Sequence, residues 1–167
     1  MTDQFEELPP KPFHVLTAVG SADDFNPLLA VSYAIARAQS GNLTILTIRS
    51  SGQIPDWLAL PDDLNSSDVS IHIEVQQHDS PAGGILDWTS QLSPDLLVVG
   101  WQGRLPKGRY LLGSTLDPVL QKVGCDLIVV KANANWQPLS VSGPTSILVP
   151  TAGGPNTSLA LDTAFNT

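Results

Sequence analysis

The residues best suited to chemistry in this chain lie between positions 100 and 115. Gly100 and Gly103 stand three positions apart after an apolar stretch, and Gly113, Ser114 and Thr115 come just before a helical pattern. Glycines let a backbone approach phosphate oxygens, hydroxyls can donate hydrogen bonds to them, and the start of a helix favours an anion. The spacing fits a phosphate site. The alternative is a loop in which the glycines serve only the turns and Ser114 is a helix N-cap.

Basic residues stand inside the same stretch, although the chain as a whole is acidic. Arg104 and Arg109 can supply positive charge to a phosphate. The formal net charge of the chain is −8. Broad nucleic-acid surfaces and anionic membrane surfaces reward clustered Lys and Arg, so we expect no nucleic-acid partner and at most one local anion site.

Residue patterns for other chemistry are missing from the sequence. The three histidines show no metal-ligand spacing, and no nucleophile stands beside a base, so the chain is not expected to be an enzyme. Asp23 and Asp24 are interpreted as solvated loop charges, and Trp101 as a packing residue. Cys125 is the only cysteine, and its apolar neighbours predict a buried structural thiol in a reducing, cytosolic compartment.

Strands and helices alternate along the chain and would position the glycines. The apolar stretches HVLTAV, NLTILTIRS, VSIHIEVQ, DLLVVG and DLIVVKA read as strands, and PLLAVSYAIARAQSG, PAGGILDWTSQLS and GSTLDPVLQKVG read as helices. One further short helix is expected within residues 51–69. The order predicts an α/β fold, an open parallel five-stranded sheet with helices on both faces. Ligands of such sheets sit at the carboxyl ends of the strands, where Gly100 stands.

The glycine-rich stretch has the form G-x2-G-x9-G-S-T within DLLVVGWQGRLPKGRYLLGSTLDPVLQKVGCDLIVVK. In this form it resembles the universal stress protein (Usp) domain family, in element order over residues 14–131 and most closely over residues 95–131. The resemblance implies a Rossmann-like fold of the adenine nucleotide alpha hydrolase type. It also implies binding of ATP or a related adenine nucleotide, with Mg²⁺ as a candidate companion. The cofactor-binding residues that we infer are Gly100, Gly103, Arg104, Gly113, Ser114 and Thr115.

The end of the first strand departs from that resemblance. Members of the family that bind ATP end this strand with an Asp that contacts adenine, whereas this chain has Val19 and Gly20 there. Asp23 and Asp24 come too late in the chain to be clean substitutes. Two functions therefore stay open: a nucleotide-binding regulatory module, or a Usp-fold dimerisation and interaction module that has lost its ligand.

The two ends of the chain carry a different composition from its centre. We expect a leader or tether over residues 1–13, a Usp-like domain over 14–135 and a linker over 136–145. Residues 146–167 read as a partial second Usp-like repeat, because SILVPT and TSLALDTA parallel HVLTAV and PLLAVSYA. The alternative is an accessory strand and helix within one domain.

The sequences of several segments are similar to those of tandem Usp domains fused to membrane transporters or channels. This similarity implies a cytosolic regulatory module, excised from a transporter or channel parent and working as a homodimer or tandem repeat. The chain shows no secretory signal and no apolar run of the roughly 20 residues that span a bilayer. A cytoplasmic location is therefore expected.

Overall fold

The structure, a computed structural model, describes residues 11–64, 68–102, 111–132 and 154–165. Within these ranges strands and helices alternate in the order predicted from the sequence, and a short 3-10 helix, Asp62–Leu64, precedes the third strand. The elements are β1 (His14–Ala18), α1 (Ala22–Ala38), β2 (Asn42–Arg49), β3 (Ser70–Gln77), α2 (Pro81–Leu92), β4 (Leu96–Gly100), α3 (Leu116–Lys122), β5 (Asp126–Val130) and α4 (Thr157–Phe165).

The five strands form one parallel sheet in the order β3-β2-β1-β4-β5. The chain moves outward from β1 to β3 and then returns to place β4 on the other side of β1. Ala18 of β1 is paired with Val99 of β4, and Gly100 with Val130 of β5. The connections after β1 and β4 thus leave in opposite directions, which makes this pair the topological switch point of the sheet. The predicted α/β fold is confirmed.

Two apolar layers cover the two faces of the sheet. Side chains alternate along a strand, so Val15 packs under α1 while its neighbour Leu16 packs under α2 and α3. Leu28 of α1 packs into the first layer and Val119 of α3 into the second, and both are almost fully buried. Because a helix covers each face, β4 is apolar throughout, and β1 is apolar except for His14 at its start and the buried Thr17.

Helix α1 begins earlier than the sequence analysis predicts. It starts at Ala22 rather than at Pro27, so the residues interpreted as a loop form its first turns. Pro27 lies inside the helix near its start, where its ring removes one backbone donor. The pattern Ser21-x-x-Asp24 is a helix-start signal, and acidic residues in a first turn interact favourably with the helix dipole. The assignment of Asp23 and Asp24 to a loop is therefore wrong.

Helix α4 falls within the predicted second repeat. It contains no buried residue, and Phe165 is 85% exposed. The predicted linker and the predicted strand of that repeat lie outside the described residues, so the division of the chain into domains stays a prediction. In the described part of the chain, no helix has the length and apolar character needed to cross a membrane.

Candidate ligand-binding cleft

A cavity of about 260 Å³ opens at the carboxyl edge of the sheet, where β1 and β4 lie side by side. The strand ends form its floor, α1 forms one wall, and the starts of α2 and α3 form the other. We call this cavity the cleft. Its position at the topological switch point is where a parallel α/β sheet binds ligands. The lining residues used below are Gly20, Asp24, Leu46, Ile48, Pro81, Ile85, Gly100, Gln102, Thr115 and Leu116.

Two glycines give the cleft a floor of backbone without side chains. A Cβ on Gly20 would meet nothing within 4 Å, and one on Gly100 would meet Asp24 and Leu28 at 3.4 Å, an ordinary contact. Neither glycine has a positive φ. Packing and backbone conformation therefore do not require a glycine at either position. Their effect is to leave the strand ends open to close approach by a ligand.

Asp24 is the charged side chain in the described lining of the cleft. It lies in the first turn of α1 and is half-buried, whereas its neighbour Asp23 is exposed. The hydroxyl of Ser21 donates a hydrogen bond of 2.7 Å to Asp24 Oδ2. This bond holds the carboxylate in one orientation beside the floor.

The segment Gly113–Thr115 leads into α3. Gly113 has a φ of +134°, a conformation that side-chain-bearing residues rarely adopt, so the fold requires a glycine here. Under the alternative, Ser114 would be the N-cap, but in the structure Thr115 occupies the position directly before α3. Ser114 is exposed, and Thr115 lines the cleft. Both hydroxyls therefore remain available to a ligand.

Asp117, in the first turn of α3, binds the backbone just before that helix. Its carboxylate accepts hydrogen bonds from the backbone N–H groups of Leu111 and Leu112, at 2.6 and 2.8 Å. These two donors are consequently not free for a phosphate. Gly103, Arg104 and Arg109, which the sequence analysis places in the same site, lie outside the described residues.

Comparison with known proteins agrees with the fold. Residues 13–131 match the universal stress protein family. The chain belongs to the universal stress protein family. A universal stress protein of Methanocaldococcus jannaschii is 35% identical over 63 residues, a match that spans 38% of this chain and only 36% of that relative.

Solved structures of universal stress proteins share the fold. One, described as a complex with cAMP, has a TM-score of 0.54 at 21% identity and covers 74% of this chain and 100% of its own. Another, from Archaeoglobus fulgidus, has a TM-score of 0.52 at 16% identity and covers 70% of this chain and 97% of its own. At these identities the likeness establishes the fold alone.

In this Usp domain, β1 ends without the acidic residue that the family resemblance implies. Val19 is buried, its N–H donates to Leu46 O, and its carbonyl accepts from Thr47 Oγ1 at 2.8 Å. Asp24 instead brings a carboxylate to the cleft from α1. The sequence analysis dismissed Asp24 because of its position in the chain. The helix-start pattern at Ser21 was the signal that could have placed it on a wall of the site.

The wall opposite Asp24 is apolar. Leu46 and Ile48 from the end of β2, Pro81 and Ile85 from α2, and Leu116 from α3 form this surface, which we call the apolar lobe. A flat, apolar ligand group such as a nucleobase fits against such side chains. Pockets for small molecules usually measure about 300–1,000 Å³, so the cavity of about 260 Å³ lies just below that range.

Trp101 follows Gly100 and packs beneath the α3 side of the sheet, which confirms its interpretation as a packing residue. Its backbone N–H donates to Val130 O at 2.8 Å and extends the pairing of β4 with β5. The indole Nε1 is buried and has no hydrogen-bond partner among the described residues, and Lys131 Nζ lies 5.2 Å from the ring centroid. Lys131 thus adds a positive charge near this end of the sheet, where it can interact with the ring face.

The remaining candidates for chemistry lie away from the cleft. Cys125 is half-buried rather than buried, and burial, followed by the charge of Asp126, raises the pKa of its thiol. A raised pKa keeps the thiol protonated and unreactive at neutral pH. Among the described residues no group of three or more His, Cys, Asp or Glu side chains could hold a metal ion.

Proposed function

We propose that this Usp domain binds an adenine nucleotide in the cleft and acts as a regulatory switch rather than as an enzyme. The observation that carries the proposal is the floor of the cleft. Gly20 and Gly100 are not required by the fold, and they leave backbone open at the topological switch point. The solved universal stress protein in complex with cAMP supports the same class of ligand.

The two ends of the cleft suggest how the ligand lies. The base packs against the apolar lobe, the sugar lies over Gly20 and Gly100, and the phosphates extend toward Thr115 and Ser114. Phosphates avoid the α1 wall because the Asp24 carboxylate would repel them. More specifically, we propose that the ligand is ATP with Mg²⁺ and that Gly103 and Arg104 bind its phosphates.

The proposal of a switch follows from the side chains that the described lining offers. The lining contains one carboxylate and neither a histidine nor a cysteine nor a lysine. A nucleophile with an adjacent base, or a pair of groups for acid–base catalysis, is therefore not present in it. Binding can change the domain's contacts, but the described lining offers no group to transform the ligand.

A second function, an interaction module without a ligand, has its own supporting observation. Leu161 and Phe165 on α4 are exposed, at 39% and 85%. Exposed apolar side chains of this kind support contacts with another copy or a tandem repeat. In either form we propose a cytosolic module, and the sequence similarity to transporter-fused domains favours a membrane-protein parent.

Calorimetry of the purified chain with AMP, ATP and cAMP, each with and without Mg²⁺, tests the proposal. We expect saturable binding with dissociation constants in roughly the micromolar range, about −8 kcal/mol. If no nucleotide binds at about millimolar concentration, near −4 kcal/mol, while circular dichroism shows a folded protein, the nucleotide proposal is wrong. That result would favour the interaction module.

A further inference from the structure

We propose that Asp24 selects the sugar of the ligand, so that the cleft prefers a nucleotide with free ribose 2′ and 3′ hydroxyls. The inference rests on the proposed function and names the group of the ligand that the α1 wall recognises. It is carried by the position of the Asp24 carboxylate, by its hydrogen bonding and by the floor beneath it.

The carboxylate of Asp24 lies directly beside the open backbone of Gly100. A Cβ built on Gly100 would stand 3.4 Å from Asp24 Cγ and 3.5 Å from Asp24 Oδ1. Oδ1 therefore borders the volume that a ligand over Gly100 must occupy. An O–H···O hydrogen bond spans about 2.5–3.0 Å, so a hydroxyl above this glycine is within reach of Oδ1.

Asp24 has acceptor capacity that the protein leaves unused. Ser21 Oγ donates to Oδ2 at 2.7 Å, and no described residue donates to Oδ1 or brings a cation to the carboxylate. An ionised carboxylate has about four acceptor positions on its two oxygens. Ser21 thus fixes the group while most of its acceptors remain free for the cleft.

Among the base, the sugar and the phosphates of a nucleotide, the sugar is the part that we expect to donate hydrogen bonds to Asp24. Phosphate oxygens carry negative charge and are repelled by a carboxylate, so they lie away from Asp24. The base is accommodated by the apolar lobe, which offers no hydrogen-bond partner from its side chains. A ribose diol presents two adjacent O–H donors, which match the two oxygens of one carboxylate. Acidic side chains serve ribose hydroxyls in the same way in dinucleotide-binding sheets.

The test compares AMP with 2′,3′-dideoxyAMP by calorimetry on the wild type and on Asp24→Asn. We expect the wild type to bind AMP about tenfold more tightly than the dideoxy nucleotide, since hydrogen bonds to a charged group are lost. In Asp24→Asn the affinity for AMP should fall by about tenfold while that for dideoxyAMP stays level or rises. Discrimination between the two ligands would then disappear.

Asp23→Asn is the matched control. It removes the same charge from the same helix turn, but Asp23 is exposed and does not line the cleft. We expect it to bind both nucleotides like the wild type.

Ser21→Ala removes only the hydrogen bond that orients Asp24, and a smaller loss of discrimination is expected. If thermal unfolding shows that Asp24→Asn is not folded, Ser21→Ala replaces it in the test.

The outcomes separate the two proposals. If the wild type binds AMP but Asp24→Asn discriminates as well as the wild type, the role of Asp24 is wrong and the nucleotide site stands. If Asp23→Asn weakens AMP as much as Asp24→Asn, the loss does not depend on the carboxylate in the cleft and the role of Asp24 is again wrong. If the folded wild type binds none of the nucleotides, the proposed function itself fails.

Discussion

The two edges of the sheet use polar groups and glycines in opposite ways. At the amino edge, His14 N–H donates to Asp95 Oδ2 at 2.8 Å, and the His14 ring pairs with Thr44 Oγ1 at 2.9 Å. Gly41 is required there, because a Cβ would overlap the carbonyl oxygen of Phe13. At the carboxyl edge, Gly20 has no such neighbour. At the starts of β1 and β2 the amino edge is closed by these contacts, whereas the carboxyl edge is left open at the end of β1.

The difference shows how a glycine can be assigned a role. A glycine that packing or a positive φ requires says nothing about a ligand, whereas one that the fold does not require and that lines a cavity leaves room for a ligand. By this criterion Gly41 and Gly113 belong to the fold, while Gly20 and Gly100 belong to the cleft. Substitutions at these positions should therefore separate stability from affinity.

The largest expected effect is at the closed edge. Gly41→Ala places a methyl group against the backbone at Phe13, which cannot move without disturbing the start of β1. We expect the free energy of unfolding to fall by about 3 kcal/mol, the upper end of overpacking costs. Urea denaturation measures it. Gly124→Ala, where a Cβ meets nothing within 4 Å, is the control, and equal losses in the two variants would refute the comparison.

Gly113→Ala should also destabilise the protein, through backbone strain rather than packing. A Cβ there meets nothing within 4 Å, but the φ of +134° is unfavourable for alanine. We expect a loss of about 2 kcal/mol in the free energy of unfolding. Gly52→Ala, which combines open space with a φ outside that range, is the matched variant. A neutral Gly113→Ala would show that the turn before α3 adapts to a side chain.

Gly100→Val should affect affinity rather than stability. Valine suits a strand end, and its methyl groups would occupy the space above the floor of the cleft. We expect AMP affinity to fall by about tenfold, or about 1.4 kcal/mol, because misfitting a few methyl groups in a pocket has this magnitude. Calorimetry and urea denaturation on the same sample separate the two quantities. Unchanged affinity would place the ligand elsewhere.

The smallest expected effect is a pH dependence at the closed edge. Burial, followed by the charge of Lys11, lowers the pKa of His14 from 6.5. The unfolded chain therefore takes up a proton before the folded protein does, and stability falls as the pH drops through 6.5 toward the lowered folded value. His14→Gln should lose less stability than the wild type between pH about 7.5 and about 5.5. Equal losses of stability in His14→Gln and the wild type over this range would refute the assignment to His14.

The fold could be predicted from the sequence because its signals are local. Apolar runs such as DLLVVG and DLIVVKA are long enough to mark central strands, and the helical repeats between them set the crossovers. The start of α1 was missed because Pro27 is also typical of a first turn. In the structure, the helix already begins at Ala22.

Only part of the candidate site could be predicted from the sequence. The glycine spacing pointed to Gly100 and Thr115, which the structure places in the cleft. Asp24 was dismissed and Gly20 was not assigned to the site, because their proximity to Gly100 depends on β1 and β4 being neighbours in space. In the sequence, Thr17 of β1 and its partner Val98 of β4 are 81 positions apart. Sequence spacing carries no record of such a contact.

The carboxylate of Asp117 has a consequence for how this protein can change over evolution. It anchors Leu111 and Leu112 on one side, and the bond from Trp101 N–H to Val130 O anchors the other side. The intervening stretch therefore joins two points that are fixed independently of its own length and composition. Exchanges there should leave both anchoring contacts intact, which makes this stretch a natural place for the sequence to vary without loss of the fold.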